Sequence, residues 1–320
     1  VTGENLSFES HDALRKGREG LICALLLLAV RLLGQNFSGD MALSKVLIED
    51  ENWETVADGF THGAAACSDV EGNYYFSAEQ ENQKGIFRLK SNGTRSLIAA
   101  DTPGITSLAF GPDGHLYGCR PIFNEICLFD DNGKLRKTFN NIKAYDLAVT
   151  IRGEIFYTGE AGLMFVDASG RRSNVVTRMQ TTLGICLTPD MGMLAVSEMN
   201  SGHVWAFSVL PTYGAVNGDT YMTLRKSSNG STFNGNSITV DTAGRFYVAT
   251  KVGLQMFDAT GRISGVIAKP SKADLEKVAF AGPDRHFLYA TCANAIYRRK
   301  TKARGVWHVA FSKIKVSPCL

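Results

Sequence analysis

Hydrophobic and polar positions along this chain fall into one recurring unit: an acidic or polar turn, a glycine, then an aromatic-rich strand. The first copy reads Asp69-Val70-Glu71-Gly72-Asn73-Tyr74-Tyr75-Phe76, and others lie at 111–117, 150–157, 189–196 and 241–248, with a weaker sixth at 282–289. Their spacing is roughly 40 residues, the length of one four-stranded propeller blade. A short apolar strand precedes most turns, at 107–110, 146–149, 184–187, 237–240 and 277–280. These are the expected innermost strands, whose beginnings should line the mouth of a central channel. After the glycine-turn strand comes a second run that ends in a tight turn, as in Ile86-Phe87-Arg88-Leu89-Lys90-Ser91-Asn92-Gly93. Asn-Gly and related pairs take positive φ at low cost and close hairpins. Apolar residues on both faces of such a run suit blades stacked against neighbours. The pattern predicts an all-β fold, a six-bladed β-propeller with four-stranded antiparallel blades. The segment 53–60 is expected to supply an outer strand to the last blade, closing the ring. The polar, glycine-rich stretch 226–235 is expected to overhang the channel mouth, as a substrate loop or a solvated insertion.

Composition narrows the function without choosing one. The 320 residues are 44% hydrophobic with a formal charge of +3, ordinary for a globular chain. No basic run is interleaved with aromatics, so no nucleic-acid partner is expected. The basic cluster at 298–304 reads as a solvated strand end. Seven cysteines show no CxxC spacing, which gives a structural zinc site little support. No GxSxG elbow, P-loop or GxGxxG context occurs. Residues 1–40 stand outside the repeat. Arg15, Lys16 and Arg18 precede an apolar run from 21 to 33, too short to span a bilayer. The run reads either as an export signal, which would place the protein outside the cytoplasm, or as upstream sequence before a start at Met41 in a cytoplasmic protein. The expected organisation is an extension over 1–40, a propeller over 41–305 and a tail over 306–320.

The ordered series of turns resembles the gluconolactonase/regucalcin-like family (senescence marker protein, LRE-like) of six-bladed propellers, over about residues 43 to 305. The stretches that carry the resemblance are 105–114, 194–198, 253–258 and the end, 288–300. The resemblance implies a divalent cation (Ca2+) at the channel mouth and hydrolysis of a sugar lactone. Such a metal polarises the lactone carbonyl and acidifies its water, while a nearby carboxylate takes the proton. Hard cations need oxygen ligands. The family implies a Glu before the first inner strand, an Asn in an Asn-Asp pair in the third blade, an Asn in Pro-Asn-Gly in the fourth and an Asp in Asp-Gly in the fifth.

In this chain those positions have changed. The glutamate falls on Ala64 or on His62, the pair in the third blade reads Tyr145-Asp146, the triplet in the fourth reads Thr182-Leu183-Gly184, and the fifth reads Asn236-Ser237. Both inherited carboxylates are gone, so little offsets the dehydration of a divalent ion, a cost of several kcal/mol. Asn236 keeps the inherited metal position without its charge. His62, Asp146 and Glu198 are the candidate catalytic groups, with His62 as general base and Asp146 as its orienter. Thr106, Tyr145 and Leu183 are the expected substrate pocket, with Tyr145 and Leu183 making it more apolar. Two functions follow: a diverged hydrolase acting on a lactone or sugar-derived ester, and a non-catalytic propeller that binds a ligand or protein. The expected partner is a small-molecule lactone or sugar-derived ligand, with no membrane span.

Overall fold

A computed structural model describes residues 43–60, 62–80, 83–175, 178–210, 214–226 and 234–308, with His62 described at its backbone. The expectations for residues 1–40 and for the centre of the 226–235 stretch lie outside the described residues. Six separate four-stranded sheets are present, all paired antiparallel, each with its strands in chain order except the last. The fold is therefore the six-bladed propeller that the repeat predicts.

The inner strands of blades 1 to 6 are His62–Ser68, Ser107–Phe110, Asp146–Val149, Thr182–Leu187, Ser237–Val240 and Leu275–Ala281. Each packs beside the next around the ring, and that of blade 6 packs back against that of blade 1. The last blade draws its outer strand, Glu54–Ala57, from the start of the described chain, antiparallel to Ala295–Lys300 with Glu54 opposite Arg298. Closure by the segment around Trp53 is thus as expected.

The acidic turns have a simple local cause. In the first copy, Asp69 Oδ1 accepts the backbone N–H groups of Glu71 and Asn73 at 3.0 and 2.9 Å. Such Asx turns let a side chain replace a backbone partner where the chain reverses. The following glycine takes positive φ in four copies, 81° at Gly72 for example. The fourth copy differs: Met191, not Gly192, has positive φ, at 56°. The core is divided by blade interface rather than gathered at one centre. Between blades 6 and 1, the Tyr74 and Tyr289 rings stack at 4.6 Å, and both side chains are buried. Flat aromatic-rich faces on adjacent blades can interdigitate over their whole length, which explains the aromatic bias of the repeat.

The axis is closed at the far end by the start of the tail. Val306 N–H donates weakly to the Val240 carbonyl at 3.5 Å. The Trp307 ring lies 5.7 Å from that of Phe110, and the Arg285 guanidinium lies 5.6 Å from Trp307. His308 Nε2 donates to the Thr188 carbonyl at 2.9 Å. Burial, the largest cause, lowers the His308 pKa, while the Thr188 bond and the Asp190 charge oppose the shift. The folded value thus lies below the unfolded one near 6.5, so at lower pH the unfolded chain binds more protons. The stability that His308 contributes is complete above about pH 6.5 and is lost as pH falls through the folded value. Acidification should therefore loosen the plug and shift Trp307 fluorescence to the red. His308→Gln should remove the part of this shift that titrates below about pH 6.5. An unchanged profile in that variant would show that another group controls the plug.

Candidate functional site

The channel between the inner strands encloses a cavity of about 170 Å³. Ser107, Asp146, Ser237 and Lys277 line it towards the strand beginnings, and Trp307 and His308 close it at the other end. Ser107, Asp146 and Ser237 are the first residues of their strands, so register alone delivers polar side chains to one level. Asp146 is the centre of the polar set. Its Oδ1 accepts the Ser107 hydroxyl and its own strand's Leu147 N–H at 3.0 Å. Its Oδ2 lies 3.5 Å from Lys277 Nζ, the two side chains being only 10% and 12% exposed. Asp146 N–H in turn donates to Thr158 Oγ1 at 3.0 Å. Blades 2, 3 and 6 therefore meet on one carboxylate.

The channel also contains Cys67 and Cys186. Burial, and then the Asp146 charge, pushes the Cys186 thiol up to about 12. Burial likewise raises Cys67 well above the ordinary thiol value. Both thiols stay protonated at neutral pH, which removes their nucleophilicity.

Of the seven candidate residues, Asp146 lines the cavity. Thr106, Tyr145 and Asn236 each precede a cavity-lining residue by one position. Thr106 Oγ1 donates to the Tyr145 carbonyl at 3.0 Å, which brings those two residues together. The Tyr145 hydroxyl donates to Glu160 at 2.8 Å, and Lys143 Nζ reaches the same oxygen at 2.8 Å. Burial, followed by the Glu160 hydrogen bond, raises the Tyr145 phenol, and the Lys143 bond leads the lowering of Glu160. Leu183 is half-buried, and its carbonyl accepts the Thr158 hydroxyl at 2.5 Å. Asn236 donates its side-chain amide to the Leu275 carbonyl at 3.0 Å, linking blades 5 and 6. Glu198 ends the second strand of blade 4 opposite Thr182. Its two oxygens accept Gln180 N–H at 3.0 Å and Trp205 Nε1–H at 3.1 Å. His62 opens the inner strand of blade 1, opposite Glu79.

Three groups at this site escaped sequence reasoning: Lys277, Lys143 and Glu160. A signal for Lys277 was present, since aligning the inner strands puts it level with Ser107, Asp146 and Ser237, a charge among small polar residues. Glu160 and Lys143 had no such signal, because exposed charges at turns are common.

The sequence profile described as the SMP-30/Gluconolactonase/LRE-like region matches residues 123–294, just over half of the chain. The chain belongs to the SMP-30/gluconolactonase/LRE-like family. No curated protein matches its sequence. Solved structures with the same fold include a gluconolactonase from Xanthomonas campestris, 15% identical, with a TM-score of 0.69 over 82% of this chain and 94% of that one. A luciferin-regenerating enzyme is also 15% identical, with a TM-score of 0.65 over 80% of this chain and 97% of that one. A calcium-binding regucalcin from Agrobacterium tumefaciens is 16% identical, with a TM-score of 0.64 over 80% and 96%. These family members share a scaffold at identities that leave the site residues to be judged one by one. Among the described residues, no helix is long and apolar enough to cross a membrane.

Proposed function

We propose that this chain is a gluconolactonase-like propeller that takes a lactone or sugar-derived ligand at the channel mouth, with the inherited hydrolytic site altered so that calcium-dependent turnover is impaired. The observation that carries the reading is the state of Asp146. The carboxylate beside the inherited ligand positions already bonds Ser107 and Lys277. Around it, Leu183 offers no side-chain oxygen, Tyr145 directs its hydroxyl to Glu160, and Asn236 is neutral and bonded to Leu275. Among the described residues, no three His, Cys, Asp or Glu side chains gather as a metal-binding group. This donor set does not fit a hard divalent ion, which needs several oxygens and compensating negative charge.

The chemistry left to the chain is binding and proton transfer. Tyr145 and Leu183 would pack against the apolar edge of the ring, while Thr106, Lys143 and Glu160 offer polar contacts at the rim. Proton removal from an attacking water would fall to His62. Asp146 would act as a positioning residue through Ser107 rather than as the base. A second reading, a propeller that binds such a ligand without turning it over, is favoured by Glu198, whose two oxygens are both engaged by N–H donors.

Hydrolysis of gluconolactone and a panel of other lactones, measured in chelator and again with added CaCl2, tests the reading. Turnover should be slow and unchanged by chelator. Fast turnover abolished by chelator would overturn it. Saturable lactone binding with no turnover on any member of the panel would select the second reading.

A further inference from the structure

We infer that the Lys277 ammonium is the channel's built-in cation: it stands where the fold would otherwise need a bound positive ion, so the ring is held at its axis without a metal. Blade 6, which carries Lys277, lies across the ring from blade 3, which carries Asp146, and the ion pair spans the axis at 3.5 Å. Ser107 of blade 2 completes the set on the other carboxylate oxygen. Both charged side chains are largely removed from water. The lining mixes apolar residues, including Leu147, Ile185, Ile238 and Val278, with the neutral hydroxyl residues Ser237 and Thr239. In such surroundings a lone carboxylate is costly and a compensating charge is required. Lys277 supplies one charge against one, on a flexible stem that itself fills the channel.

The same arithmetic disfavours a divalent ion. Among the described residues, Asp146 is the one carboxylate in the cavity lining, and with Lys277 in place the pair is already neutral. An added divalent ion would meet no net negative charge and an ammonium close by. Asp146 sits one position past Tyr145, and Ser237, which lines the same cavity as Lys277, sits one position past Asn236. The residues at the inherited ligand positions and the Lys277 ammonium thus act in the same direction, each leaving less negative charge for a divalent ion. The inference holds whether or not lactones are hydrolysed, and its test has no lactone in it.

Thermal unfolding of the full chain in chelator and in about 5 mM CaCl2 should give midpoints within about 1 °C of each other. Lys277→Met and Asp146→Asn should each lower the midpoint by several degrees. The double variant should lose clearly less than the sum, because its carboxylate is no longer left unpaired. A calcium-dependent rise of several degrees in the unsubstituted protein would overturn the inference, as would additive losses in the double variant. If Lys277→Met alone fails to fold, recovery of folding in the double variant supports the inference, and failure of both overturns it.

Discussion

Asp241→Ala is expected to lower folding stability by about 3–5 kcal/mol, the range for breaking a buried ion pair by removing one partner. Asp241 is fully buried, at 0% exposure, in the fifth copy of the repeated turn. Its Oδ1 accepts the N–H groups of Ala243 and Arg245 at 2.9 and 3.1 Å, and its Oδ2 accepts Arg245 Nε–H and the Tyr247 hydroxyl at 2.5 and 2.8 Å. Truncation removes all four bonds at once. It leaves the largely buried Arg245 guanidinium and the buried Tyr247 hydroxyl without this acceptor, and unmet buried donors cost more than the bond itself contributes. Burial, and then the Asp241 charge, pushes the Tyr247 phenol far above its ordinary value, so it remains a donor at every ordinary pH. Urea unfolding at neutral pH measures the loss. Asp241→Asn keeps an oxygen for the two turn N–H groups but removes the charge, and should fall between the two. A loss below about 1 kcal/mol in Asp241→Ala would mean that water replaces the carboxylate in that turn.

A chain beginning at residue 58 is expected to lose roughly 3–6 kcal/mol from the burial of Leu43 and Val46 alone. Both side chains are buried in the cluster that joins blades 5 and 6, with Met256, Leu275 and Leu288. The truncation also removes the Trp53 Nε1–H bond to the Ala268 carbonyl at 2.8 Å and the Glu54 pair with Arg298. It strips the outer strand from blade 6 and exposes Ala295–Lys300 as an unpaired edge, which invites association between copies. The expected result is a lower urea midpoint together with concentration-dependent oligomers in light scattering. A monomer with an unchanged midpoint would show that ring closure does not depend on this strand.

The basic run 298–304 has a use that composition could not reveal. Arg298 pairs with Glu54 and bonds the Ser91 carbonyl at 3.1 Å, and Lys302 bonds the Ser44 carbonyl at 2.9 Å. These charges fasten the last blade to the strand that closes it and to its neighbours.

The sequence by itself determined the blades. Turn aspartates, glycines and alternating apolar runs act over a few residues, so their physics is local and readable in one dimension. It also placed the inner strands, whose first residues include Asp146. The closing strand at 54–57 was legible because a ring of repeats must complete its last sheet. Only the tertiary structure decided what those side chains meet. Lys277 reaches Asp146 because closure of the ring puts blade 6 opposite blade 3, a relation that no local pattern encodes. Trp307 and His308 plug the far end for the same reason: contacts across a closed ring depend on how the blades are arranged around it. Glu160 meets Tyr145 within blade 3, where the turn after the second strand lies beside the start of the first. The repeat therefore specifies the scaffold, while the pairing of charges at its axis emerges when the ring closes.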